Sequence, residues 1–377
     1  MKWSREMFSK EIVNSGRQKE LDLAKAVIIF CLALIHCTIE CTSEERLLSG
    51  IPYLFDSVIG GPISAPMFMF AMGVGMVYTK HRTPKDYVCR GLGIGVTGFV
   101  LNLCRFLFPF LVGYKITGDY EKYITPLPYR IFGNDILQFA CLAMLLIALF
   151  VRLHIPKKAM FLICLGMSLL GTCLNGTDMG TPFRNIFMGY LIGTEDPAGM
   201  VISDFPLLNW MIIPVCGYIF GTYLLHVTNK KLFYSKVSVV GLLITVVYFP
   251  IGISNRWGMF GEGQNCYYHL TTADAAVSLA LTIGMLGIYH ILCKYLSERV
   301  MICVSEISRN INMIYCIHWV FVMFITNDIL YILNGTQELS VPLTMLLGVS
   351  ISIASILAAH FWSGKRMHRG SVEMEGK

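Results

Sequence analysis

Residues 22–41 read DLAKAVIIFCLALIHCTIEC. Between Leu23 and Cys37 the only strongly polar side chains are Lys25 and His36. On a helix, eleven residues place them about 20° apart in azimuth, and at ~1.5 Å per residue they lie roughly 16 Å apart along the axis. They therefore face the same way from opposite ends of an apolar rod about twenty residues long, which is the length of a membrane span. Ionisable side chains inside a bilayer are costly and mark pathways or reaction centres, so this pair frames the functional question. Asp22 and Glu40 extend the stripe at its two ends.

The rest of the chain repeats the pattern. Hydrophobic residues make up 55% of the 377 and charged residues 14%, with a mean hydropathy of +0.61, which places the chain outside the range of soluble domains. Apolar spans are expected near 22–41, 57–79, 91–112, 133–152, 158–175, 208–227, 237–254, 273–293, 310–332 and 342–361. The fold class is all-α: a polytopic membrane protein of about ten helices in one bundle.

Basic clusters occur before residue 22, at Lys80/Arg82/Lys85/Arg90, at Arg152/Lys157/Lys158, at Lys230/Lys231/Lys236, at Lys294/Arg299/Arg309 and at Lys365/Arg366/Arg369. Every second connection is thus basic, while Glu40, Glu44, Glu45, Asp178, Glu195, Asp196, Asp204, Glu262 and Glu338 mark the others. By the positive-inside rule both termini are expected in the cytoplasm, with Lys25 near the cytoplasmic face and His36 near the outer one. The expected organisation is a cytoplasmic segment 1–20, a membrane domain 21–364 and a cytoplasmic tail 365–377. The basic N-terminal segment followed by an apolar stretch imitates a secretory signal. Asp22 and Lys25 interrupt that stretch and no A-x-A-like site follows, so the first helix is expected to be retained.

The charge of +6 records topology, and nucleic acid is not an expected partner. The thirteen cysteines lie mostly in apolar stretches, where a thiol is a small hydrophobe, and no CxxC pair appears, so no metal is expected. Two outer connections, 113–132 and 176–207, are long and contain Pro126, Pro128, Pro182 and Pro197; they read equally as a lid over an outer cavity or as ordinary loop.

His36 is the first catalytic candidate, as a general base or a transient acyl carrier, with helix packing as its plain alternative. Lys25, Lys80, His81, Arg82, Lys85 and Arg90 form a cytoplasmic cluster able to cradle phosphate, a cluster that topology alone also explains. In FGNDILQF, Asn134, Asp135 and Gln138 open the fourth span, with Asn134 also readable as a helix N-cap. Asn312, Tyr315 and His318 spread over about a third of the ninth helix and read as cavity lining or as interhelical hydrogen-bonding groups.

Five stretches resemble the transmembrane acyltransferase superfamily that contains acyltransferase family 3 and the heparan-alpha-glucosaminide N-acetyltransferase-like proteins. They are ELDLAKAVIIFCLALIH (20–36), SAPMFMFAMGVGM (64–76), FGNDILQFACLAM (132–144), FPLLNWMIIPVCGYIFG (205–221) and ISRNINMIYCIHWVF (307–321). The family's first helix typically carries Arg, ten residues, then His; Lys25 and His36 keep the spacing with Lys in place of Arg, so the charge is kept and the bidentate fork is lost. The resemblance implies transfer of an acyl group, most often acetyl in this family, from cytoplasmic acyl-CoA to a hydroxyl or amine of an extracytoplasmic glycan or envelope molecule, in a bacterial cytoplasmic membrane. It implies His36 as base or acyl carrier, oriented by Glu40 or Asp135, with Lys25, Arg82 and Arg90 on the acetyl-CoA phosphates. Asn134, Gln138, Asn312, Tyr315 and His318 would line the acceptor cavity. A transporter or flippase of a small polar molecule is the rival reading, and a sensor or scaffold a third. A homo-oligomer is compatible with the sequence, which does not name the acceptor, the acyl chain length, or O- against N-acylation.

Overall fold

The computed structural model describes residues 7–196, 203–261 and 263–375. Lys2, Arg5, Pro197, Glu262 and the side chains of Glu44, Lys365, Arg366 and Arg369 fall outside that description. Ten helices are long and apolar enough to cross a membrane: α1 Lys19–Cys41, α2 Gly50–Tyr78, α3 Pro84–Thr117, α4 Tyr120–Arg152, α5 Lys157–Leu174, α6 Leu207–Leu224, α7 Lys230–Asn255, α8 Thr272–Leu292, α9 Ile311–Asn334 and α10 Val341–Ser363. All ten expected spans are present. The described residues contain no sheet, only two isolated bridges, Phe8 to Val227 and Thr177 to Thr194.

Local chemistry sets the helix starts. Thr83 and Asp86 cap α3 reciprocally with Pro84 at its first position, and Thr271 and Asp274 do the same for α8. At the fourth span the N-cap is Asp135, whose carboxylate accepts from the Ile136 amide at 2.6 Å, rather than Asn134. The stretch 113–132 is mostly helical: α3 continues to Thr117, and short turns at Tyr120–Tyr123 and Leu127–Phe132 precede the main part of α4. Among its described residues the second long connection carries one helix, Pro182–Gly189.

In a bilayer the lipid is as apolar as the side chains, so helices associate through close packing and small residues. α2 and α6 show it most sharply. A Cβ on Gly73 would lie 2.0 Å from the Pro214 carbonyl oxygen, and one on Gly217 would lie 2.1 Å from that of Phe70. Only glycine permits that approach. α1 is the central element, with buried residues around most of its circumference, and packs against α10, α9, α8 and the amphipathic helix Glu298–Arg309. By contrast α5 and α7 are the least buried spans, and turn Leu162, Leu169, Val246 and Val247 outward.

Three spans contain π-helical stretches: Leu54–Ser64 in α2, Leu103–Leu107 in α3 and Phe324–Leu330 in α9. All three belong to the end of the bundle where His36 lies; Gly60 of the first, for instance, abuts Ile35. A π turn adds a residue and re-aims the side chains that follow, and such turns are frequent at functional sites.

Candidate active site

At the Lys25 end, a cavity of about 530 Å³ opens between α1, α2, α3, α4, α9 and the segment before α1. Arg17, Lys25, Arg90 and Arg309 line it against a single carboxylate, Asp22, so its field is positive. Asp22 is buried and receives the Arg17 guanidinium, the Ser308 hydroxyl at 2.6 Å and, more loosely, the Lys25 ammonium at 3.7 Å. Arg17 is further tied to the Ser305 carbonyl at 2.8 Å. Arg90 has no hydrogen bond or ion pair among the described residues, which leaves a whole guanidinium facing the cavity. Arg82 is elsewhere: it is exposed, donates to the Thr79 carbonyl at 2.8 Å, and does not line the cavity.

Toward the membrane interior the lining becomes apolar, with Met69, Met72, Ile136, Leu137 and Ala140, and ends at Tyr315; Asn312 lies nearer the mouth, one turn before it. The Tyr315 hydroxyl donates to Asp135 at 3.1 Å. Asp135 in turn forms a 2.7 Å ion pair with Arg105, and both partners are at least nine-tenths buried. The Arg105 guanidinium also donates to the Asn102 side-chain oxygen at 2.8 Å, and Asn102 grips the Ile131 and Gly133 carbonyls just before Asp135. Its flat face covers the Trp319 ring at 4.7 Å and the Phe106 ring at 4.6 Å.

Trp319 leads to His36. Their ring centroids are 3.9 Å apart, and His36 also stacks on His318 at 5.4 Å, which meets Tyr315 edge-on at 5.2 Å. A continuous sequence of side chains therefore joins the inner end of the cavity to His36: Tyr315, Asp135, Arg105, Trp319. His36 is half-buried and has no hydrogen-bond partner among the described residues, so its ring nitrogens are open to a ligand. Neither Glu40 nor Asp135 hydrogen-bonds to it. Asp135 instead orders Arg105 and Tyr315, while Glu40, half-buried one turn beyond His36, lies in the field of Arg130, Arg105 and Lys122.

Polar atoms without partners gather around this core. Those buried include both Gln138 side-chain atoms, Asn134 Oδ1, Arg105 Nε, His318 Nε2 and Trp319 Nε1. A buried polar group left without a partner costs about 1–3 kcal/mol, so these atoms mark the most polar part of the bundle interior. His318 Nδ1 is committed to the Ile314 carbonyl at 3.3 Å, which leaves Nε2 as its free nitrogen.

Asn134 anchors the loop that precedes α6, its amide donating to the Asp204 carbonyl at 2.6 Å. The same loop is clasped from behind by His269, whose Nε2 lies 2.6 Å from Ser203 Oγ. Burial and the neighbouring Asp135 carboxylate push Asp204 up to about 8, against the pull of Arg130 and Arg105, so it holds its proton at neutral pH. Burial lowers His269, keeping it neutral there.

Arg105, Trp319 and Asp204 are not among the site candidates read from the sequence, where Asp204 serves only as a mark of topology. Arg105 was within reach as the one charged residue in VLNLCRFLFPF, an intramembrane cation by the same logic that singled out Lys25. Trp319 carries no charge, and Asp204 sits in loop material, so neither gives a signal without the fold.

The acyltransferase family 3 model, described as an acyltransferase domain, matches residues 18–360. No curated protein matches the chain. The matched segment takes in nine of the ten spans and all but the last three residues of the tenth, the positive cavity apart from Ser15, Gly16 and Arg17, and the Tyr315–Asp135–Arg105–Trp319–His36 sequence, and the chain belongs to acyltransferase family 3, a membrane acyltransferase.

Proposed function

We propose that the protein transfers an acyl group, most simply acetyl, from cytoplasmic acyl-CoA to a hydroxyl or amine of an extracytoplasmic glycan or related envelope molecule. The supporting observation is the connection just described: a positive cavity at the Lys25 end whose inner end meets, through Tyr315 and Asp135, the aromatic stack on His36. With the termini on the cytoplasmic side, as the basic clusters suggest, the cavity opens to the compartment that holds acyl-CoA.

In this reading Arg90, Arg17, Arg309 and Lys25 hold the nucleotide phosphates, and the apolar throat takes the extended arm that carries the thioester. Arg90 is the principal contact, because its fork is unengaged and suited to bidentate phosphate pairing, whereas Lys25 and Arg17 are shared with Asp22. Neutral His36 removes the proton from the acceptor hydroxyl or amine; the acceptor atom bonds to the acyl carbon, the carbon–sulfur bond breaks, and CoA departs as the thiolate. Tyr315 and Arg105 stand where charge develops on the thioester oxygen, and Asp135 fixes both.

The test is thioester consumption by the purified protein in nanodiscs, with acetyl-CoA and candidate glycans. Turnover that disappears in His36→Ala while acetyl-CoA binding persists supports the assignment. A protein that neither binds acetyl-CoA nor gains thermal stability with it overturns the donor assignment.

A further inference from the structure

A second hollow lies outside the site. A groove of about 500 Å³ runs between α5, α6 and α8, with Phe70 of α2 as its floor. Its walls are Phe161, Leu162, Cys216, Ile219, Phe220, Leu279 and Ile283, with Phe161 and Leu162 partly exposed on the outer surface of the bundle. Lys157, Lys158 and Tyr223 stand at one end. Helical spacing carries Lys157 to Phe161 and Lys158 to Leu162 in one turn each, so the cationic end leads directly into the apolar part.

The cationic end is electrostatically incomplete in three respects. α5 begins at Lys157 with Pro156 as N-cap, no side-chain cap and no acidic residue in its first turn, so its leading amides have no side-chain acceptor. Two lysines at that position oppose the helix dipole, whose N-terminus is already positive. Neither lysine has a carboxylate within ion-pair distance among the described residues; Lys157 only overlies the Tyr223 ring at 5.1 Å. An anion there answers all three, and the groove beyond it demands an apolar chain.

We propose that this groove binds a phospholipid with an anionic headgroup, its phosphate on Lys157, Lys158 and the start of α5 and one acyl chain along Phe161, Phe220, Leu279 and Ile283. The site is separate from the acyl-transfer site. Phe70 faces the groove while Met69, Ala71 and Met72 face the donor cavity, so α2 alone divides the two.

The experiment uses full-length protein purified in detergent and exposed to phosphatidylglycerol, phosphatidylcholine or inorganic phosphate, with lipid retention read by native mass spectrometry and stability by thermal unfolding. The expected result is preferential retention of phosphatidylglycerol, reduced about thirtyfold in K157Q/K158Q, the equivalent of ~1 kcal/mol for each of the two lysines. L279W, which fills the groove and keeps both lysines, should lose retention as well, and the pair of variants separates lipid loss from misfolding when each melts cooperatively without lipid. Equal retention of the two lipids by the unaltered protein, or unchanged preference in K157Q/K158Q, overturns the proposal. Stabilisation by inorganic phosphate equal to that by phosphatidylglycerol overturns it too, leaving an anion site that needs no acyl chain.

Discussion

The Tyr315 hydroxyl donates to Asp135 at 3.1 Å from the inner end of the positive cavity, and this single contact couples the two halves of the site. Tyr315→Phe keeps the ring and its packing on His318 and removes only the donor. Asp135 keeps Arg105, so the fold should tolerate the change. Turnover is expected to fall about ten- to a hundredfold, the equivalent of one charge-assisted hydrogen bond, with acyl-CoA affinity nearly unchanged. Steady-state kinetics beside equilibrium binding checks this; a matching loss of affinity would place Tyr315 on the donor instead.

Arg105 and Asp135 form an ion pair buried in the membrane-spanning part of the chain, where desolvation nearly cancels attraction. Removing one partner strands the other. Arg105→Ala should therefore destabilise the protein by about 3–5 kcal/mol, whereas the double substitution Arg105→Met/Asp135→Leu should recover much of that stability. Activity should be lost in both, because Tyr315 and Trp319 lose the groups that order them. Thermal unfolding and turnover of the single and double variants separate the two contributions.

His36 contributes little to packing beyond its stacking on Trp319 and His318, so His36→Ala should fold and bind donor. Its turnover should fall by about 10²–10⁴, the usual contribution of a general base. Single-turnover measurement with labelled acetyl-CoA distinguishes a base from an acyl carrier: only a carrier leaves label on the unaltered protein without acceptor.

How much of this could be read in advance follows from the physics of the bilayer. Hydrophobic length and basic alternation gave the ten spans, because a membrane requires continuous apolar helices and leaves little room for alternatives. Lys25 and His36 stood out for the same reason. Partner choice did not, since it depends on which helix faces pack. Asp135 seemed a companion to His36 by depth, yet it belongs to Arg105 and Tyr315, 30 residues before it and 180 after it. The π turn at Leu103–Leu107, which re-aims Arg105, has no sequence signature. Likewise Arg82 and Arg90 occupy the same basic cluster, and only the fold turns one into the cavity and the other away.

That difference makes a paired test. Arg90→Ala removes an unengaged guanidinium from the cavity and should weaken acyl-CoA binding about ten- to a hundredfold, with the loss diminishing as salt is raised. Arg82→Ala removes an exposed side chain bonded only to the Thr79 carbonyl and should leave binding within about twofold. Titration of both variants with acetyl-CoA at two salt concentrations decides it.

Asp204 gives the protein a pH signature. Its carboxyl titrates at about 8 in the folded chain against an ordinary 3.8, so between those values the folded state holds a proton that the unfolded state has released. Stability then falls as pH rises through that window and is level above it, since both states are ionised there. Asp204→Asn keeps a neutral side chain of the same shape at every pH. The variant should therefore melt at nearly the temperature of the unaltered protein near pH 4 and progressively higher toward pH 8, with little further divergence at pH 9. Parallel melting curves across the whole range would mean that Asp204 ionises normally and does not share its site with Asp135.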